Sequence, residues 1–164
     1  MCNASGVETV GYWSSEFPSY TGSVLTAFGR GLCGASSTYS RFVSVSTPSL
    51  LDYLGNSQGV MLAHTSGPKW VIFRGNAERT SISGSLNTDV LLSSIFDGTN
   101  CSIRDGTNTG TAANTGAFSV TQVLVGAEQQ GSPKTALNSK YAEVTLWTAN
   151  LTSQETTIRA ALAY

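Results

Sequence analysis

Ten acidic residues, four Asp and six Glu, are the chain's main stock of groups able to do acid–base work. A retaining glycosidase needs two carboxyls about 5–5.5 Å apart, which two residues on the same face of one strand can supply. No two acidic residues here lie two apart. The single histidine, His64, closes the stretch "GVMLAHTSG", so no second imidazole is available to activate a nucleophile elsewhere. There is no Walker-type phosphate loop. The three cysteines, Cys2, Cys33 and Cys101, have no zinc-ligand spacing and only one histidine to assist them. The expectation is a non-enzyme with no catalytic set and no metal site. Cys33 and Cys101 are expected as reduced core residues. Cys2, near the chain's start, is expected as a free thiol, with an intermolecular disulfide that staples copies together in an oxidising medium as the alternative.

Two stretches remain as candidates for binding. "LLDYLGNSQG" places Asp52, Tyr53 and Asn56 together. One carboxylate and one amide are a thin offering for calcium, which takes six to eight oxygens. No cofactor is therefore expected, with Ca²⁺ at this loop as the only alternative. The same three residues could meet a sugar, with Tyr53 against the ring and Asp52 and Asn56 on its hydroxyls. The aromatic-rich "GYWSSEFPSY" offers Tyr12, Trp13, Phe17 and Tyr20 as a contact with a neighbouring subunit or a cover for a sheet edge. A third stretch, "FDGTNCSIRDGTN", repeats Asp-Gly-Thr-Asn at residues 97 and 105. Each unit carries one carboxylate, too few for a calcium loop, and Asp-Gly between β-formers predicts a tight turn.

The elements that must position these residues read as strands. The chain has 164 residues, enough for one domain. It is 40% hydrophobic and 12% charged, with net charge −1, which excludes disorder and gives no basic footprint for a nucleic acid. No apolar run is long enough for a membrane helix. "MCNASGVETVGYW" has neither the basic nor the apolar region of a secretory signal, so synthesis in the cytoplasm is expected. Strands are predicted at Ser23–Arg30, Arg41–Ser46, Gly59–Thr65, Lys69–Arg74, Glu78–Ser83, Asp89–Phe96, Cys101–Arg104, Phe118–Gly126 and Lys140–Trp147. Gly75-Asn76 makes "WVIFRGNAERTSI" a hairpin. At the end, Thr152 and Glu155 have capping-box spacing, and Ile158, Ala161 and Leu162 form an apolar stripe that would dock a short helix. The pattern predicts an all-β, antiparallel two-sheet β-sandwich with a C-terminal helix.

Over residues 81–164 the order of features resembles a known family. "LLSSIFDGTNCSIRDGTNTGTA", "VTQVLVGAEQQ" and "KYAEVTLWTANLTSQETTIRAALAY" are similar to the central and closing strands of concanavalin A-like, laminin-G-like jelly-roll domains of the bacterial and phage type. "VLTAFGRG" and "RFVSVS" resemble the early strands more loosely. The resemblance implies a jelly roll over residues 23–164, preceded by an N-terminal extension at 1–22. Glucanases of this fold carry Glu-x-Asp-x-x-Glu on one strand, which this chain lacks. What the resemblance then implies is a virion structural protein of a bacteriophage, on capsid or tail. Its partners would be other virion proteins and copies of itself through Cys2, Tyr12, Trp13, Phe17 and Tyr20. The alternative is a carbohydrate-binding, host-adhesion module contacting a surface glycan through Asp52, Tyr53 and Asn56.

Overall fold

The computed structural model describes residues 13–33, 39–46, 60–65, 69–74, 77–85, 87–114, 116–125, 127–130, 132–135 and 139–163. Two antiparallel sheets face each other. The first holds β1 (Trp13–Gly22), β3 (Tyr39–Ser46), β4 (Val60–Thr65), β5 (Lys69–Arg74), β6 (Ala77–Ser83) and β10 (Phe118–Val125), in the order β1-β10-β3-β4-β5-β6. The second holds β2 (Val24–Cys33), β7 (Val90–Asp97), β8 (Asn100–Arg104), β9 (Thr109–Ala113) and β13 (Ser139–Trp147), in the order β13-β2-β7-β8-β9. A small hairpin, β11 (Ala127–Gln130) with β12 (Ser132–Thr135), forms a third, two-stranded sheet. The chain ends in a 3-10 turn, Thr152–Gln154, and helix α1 (Glu155–Leu162).

Alternation builds the core. Leu25, Ala27, Leu92, Phe96, Cys101 and Ile103 project from the five-stranded sheet against Trp70, Ile72, Ile82, Val120 and Val123 of the six-stranded one. Each fully buried aliphatic or aromatic side chain contributes about 1.5–3 kcal/mol of transfer free energy. Arg74 lies on the same face of β5 as Trp70 and Ile72, and is only 2% exposed. Its guanidinium donates to Asn114 Oδ1 (3.0 Å) and to the carbonyls of Gly116 (3.1 Å) and Ala117 (2.5 Å), which satisfies a charge that burial would otherwise penalise. On one side the sheets close tightly. A Cβ at Gly110 in β9 would sit 2.5 Å from the Ser81 carbonyl oxygen of β6, so only glycine allows that approach.

All nine predicted strands are present, shifted by at most a few residues, and β5 and β6 pair as the predicted hairpin. Three readings are corrected. Residues 13–22, assigned to an N-terminal extension, form β1, hydrogen-bonded to β10 from Trp13↔Val125 to Gly22↔Phe118 with a bulge between Glu16 and Tyr20. The capping box does not form: no side chain caps the helix, and Glu155 turns inward, 5% exposed. The apolar stripe is also weaker than expected. Ala161 is exposed, Ile158 and Leu162 are half-buried, and Glu155 is the one fully buried residue of α1.

Candidate binding site

The repeated Asp-Gly-Thr-Asn units are two tight turns at opposite ends of β8. Asp97 Oδ1 accepts from the backbone N–H groups of Thr99 (2.8 Å) and Asn100 (2.6 Å). Asp105 Oδ1 accepts from those of Thr107 (2.8 Å) and Asn108 (2.7 Å), and its Oδ2 from Asn108 Nδ2 (2.8 Å). Gly98 and Gly106 supply φ of 99° and 100°. The Asn100 and Thr99 N–H groups hold the Asp97 carboxyl below its ordinary value. For Asp105 partial burial pushes upward, but the Asn108 and Thr107 bonds and the nearby Arg159 charge outweigh it.

The second turn also forms one wall of a cleft of about 220 Å³. Its walls are Asp105 and Asn108 from this turn, Ser83 at the end of β6, Ser85 just after it, and Asp89 before β7, with Trp70 of β5 beneath. Trp70 is 1% exposed, so it belongs to the core and closes the cleft's floor rather than offering an open stacking face. Arg30 Nε and Nη2 reach Asp89 Oδ2 at 3.0 and 2.9 Å. Among the described residues nothing binds Asp89 Oδ1, Asn108 Oδ1 or the hydroxyls of Ser83 and Ser85. The cleft thus presents unengaged acceptors and hydroxyls over an apolar floor.

A polar latch on the outer face of the five-stranded sheet holds α1 beside this turn. Glu155 receives Ser93 Oγ (2.5 Å) and Arg159 Nε (3.0 Å) on Oε1, and Arg104 Nη1 (2.5 Å) on Oε2. Arg159 also donates to the carbonyls of Leu91 (2.8 Å) and Arg104 (2.6 Å) and to Ser93 Oγ (2.7 Å). Burial by itself would raise the Glu155 carboxyl. The hydrogen bonds from Ser93 and Arg159 and the charges of Arg104 and Arg159 prevail and hold it below the ordinary glutamate value. Thr26 Oγ1 donates to Ala149 O (2.7 Å) and accepts from Leu151 N (3.2 Å), fixing the approach to the helix. Trp147 stands edge-on to buried Phe28, ring centroids 5.8 Å apart.

Of the residues singled out in the sequence, Asp52, Tyr53, Asn56, Cys2 and Tyr12 lie outside the described residues. Trp13 and Phe17 lie on β1. Tyr20 is half-buried against the core, and its hydroxyl donates to Val24 O (2.6 Å), which makes it a brace between β1 and β2 of its own chain. Cys101 is a free, buried thiol, whereas Cys33 ends β2 opposite Ser139. Among the described residues no group of three or more His, Cys, Asp or Glu could hold a metal ion, and no helix is long and apolar enough to cross a membrane.

The sheet order, the two-sided core and the closing helix define a concanavalin A-like jelly-roll sandwich, and solved structures share it. A native heptameric SAP-like pentraxin from Limulus polyphemus superposes with TM-score 0.66 at 15% identity, over 91% of this chain and 75% of that one. A Trypanosoma rangeli sialidase gives 0.58 at 13% identity, over 83% of this chain but only 22% of the sialidase. An alginate lyase of polysaccharide lyase family 7 gives 0.51 at 9% identity, over 88% of this chain and 65% of the lyase. No protein-family model and no curated protein matches the sequence. At these identities the likeness defines the fold alone.

Proposed function

We propose that this chain is a non-enzymatic structural protein of a bacteriophage particle, on capsid or tail, that displays a lectin-like sandwich on the particle surface. The observation that carries the non-enzymatic part is where five of the ten carboxylates go among the described residues. Asp97 and Asp105 organise turns, Asp89 and Glu78 pair with Arg30 and Lys69, and Glu155 anchors α1. Carboxylates held this way serve the fold, and even the two that border the cleft, Asp89 and Asp105, are engaged by Arg30 and by the second turn, whereas a glycosidase needs a pair poised as acid and nucleophile. The particle role rests on the phage-type resemblance of the closing strands. Contacts with copies of itself and other virion proteins would come from Cys2, Tyr12, Trp13, Phe17 and Tyr20. Mass spectrometry of purified particles tests the role: the chain should be present in many copies, and its absence refutes the proposal. A Cys2 staple would show as a dimer band on non-reducing gels that disappears in Cys2→Ser.

A second reading is a carbohydrate-binding, host-adhesion module. The cleft beside the second Asp-Gly turn favours it, since acceptors and hydroxyls grouped around an apolar floor suit a polyol. The loop with Asp52, Tyr53 and Asn56 is its other proposed contact, with Ca²⁺ an alternative occupant there. A glycan array separates the readings, because a purely structural protein binds no host glycan.

A further inference from the structure

We propose that the cleft walled by Ser83, Ser85, Asp89, Asp105 and Asn108 over Trp70 binds a single neutral sugar residue at the end of a glycan. The inference rests on the carbohydrate-binding reading and adds to it a place and a ligand class.

Asp89 Oδ1 and Asn108 Oδ1 are acceptors without protein partners among the described residues, and the two serine hydroxyls can both donate and accept. A ligand must therefore bring several hydroxyl or amide donors on a compact frame. Two aspartates and no Lys or Arg line the cleft, and Arg30 is already engaged by Asp89 Oδ2, so a carboxylate-bearing sugar would find no cation to pair with there. That selects neutral sugars over sialic or uronic acids. A volume of about 220 Å³ lies below the range of roughly 300–1,000 Å³ usual for drug-sized ligands, which fits one ring rather than an extended chain. The walls are also held rigidly: Asn108 is fixed through its amide to Asp105, and Asp89 by Arg30, whose Nη1 also reaches Leu162 O (3.3 Å). Preorganised acceptors of this kind lower the ordering cost of binding.

The test uses the full chain on an array of neutral and acidic glycans, followed by calorimetry with the best neutral ligand. Ser85→Trp fills the cleft from an exposed position, and Asp89→Ala removes the rim acceptor. Thr99→Trp, on the first turn at the far end of β8, is the control. The expected result is binding of a neutral sugar that weakens at least tenfold in both cleft variants and is unchanged in Thr99→Trp, with all three melting as cooperatively as the parent. Binding that both cleft variants retain overturns the site while leaving the carbohydrate-binding reading intact. Binding of acidic sugars alone overturns the ligand class. No glycan binding by the parent chain overturns the inference together with the reading beneath it.

Discussion

Replacing Glu155 by Gln tests whether charge, rather than an apolar stripe, holds the C-terminal helix. The substitution keeps the shape and one acceptor oxygen, which can still meet Ser93 and Arg159. It removes the negative charge between two guanidiniums and turns an amide N–H₂ towards Arg104 Nη1, two donors face to face. The Arg159 side chain is 15% exposed and that of Glu155 6%, so little water is at hand to compensate. Breaking a buried pair by neutralising one partner costs about 3–5 kcal/mol. Arg104 is one-third exposed and Arg159 keeps its carbonyl partners, which places the loss at the lower end, about 3 kcal/mol. For a domain of this size that lowers Tm by about 6–12 °C. Calorimetry reads the shift, and limited trypsinolysis reads its place: cleavage after Arg159 should become fast in Glu155→Gln under conditions where the parent chain resists. Adding Arg104→Ala should recover part of the loss by removing the donor–donor clash. A variant that melts within about 1 °C of the parent and stays resistant after Arg159 would refute the latch.

Three further outcomes follow from the same bonds. The folded-state carboxyls of Glu155, Asp97 and Asp105 lie below their ordinary values of 4.5, 3.8 and 3.8, so their stabilisation is complete above those values and is lost as pH falls below them. Urea midpoints should thus be insensitive to these groups from pH 7 to 5 and drop below about pH 4.5, with a shallower drop in Glu155→Gln. Gly110→Ala forces a Cβ against the Ser81 carbonyl and should cost about 1–3 kcal/mol in chemical denaturation, whereas the exposed Thr111→Ala should be near neutral. Burial pushes the Cys101 thiol up and the side chain is 0% exposed, so it should react with a thiol reagent only after unfolding. Labelling at native pH would contradict its place in the core.

Strand positions were legible wherever branched and aromatic residues met turn chemistry, as in "KWVIF" before Gly75-Asn76 or "VLLSSIF" before Asp97-Gly98. Four strands gave no such signal. Residues 13–22 carry Pro18 and no clean alternation, and they become a strand because β10 offers an edge to pair with. Thr109–Ala113 is short and built of small residues, and its pairing with β8 follows from the turn before it. Neither member of the β11–β12 hairpin has an apolar run of its own. The helix was visible but the reason for it was not. Thr152 and Glu155 have capping spacing, yet Glu155 finds Ser93 and Arg104, 62 and 51 residues earlier, and the sheet outcompetes the local cap. The cleft was hidden for the same reason. Its walls come from β5, the β6–β7 connection and the β8–β9 turn, and only tertiary pairing unites them.

The two Asp-Gly turns have a kinetic consequence. Each carries its own carboxylate clamp and its own left-handed glycine, so β7, β8 and β9 can find register with little loop-closure entropy. The bonds around Thr26, by contrast, span as many as 125 residues and must wait for most of the chain. A folding nucleus placed in the β7–β9 meander makes the helix latch a late, low-φ contact. Loosening it should hasten unfolding and leave the folding rate almost untouched, so the helix sets how long the sandwich stays closed rather than how fast it forms.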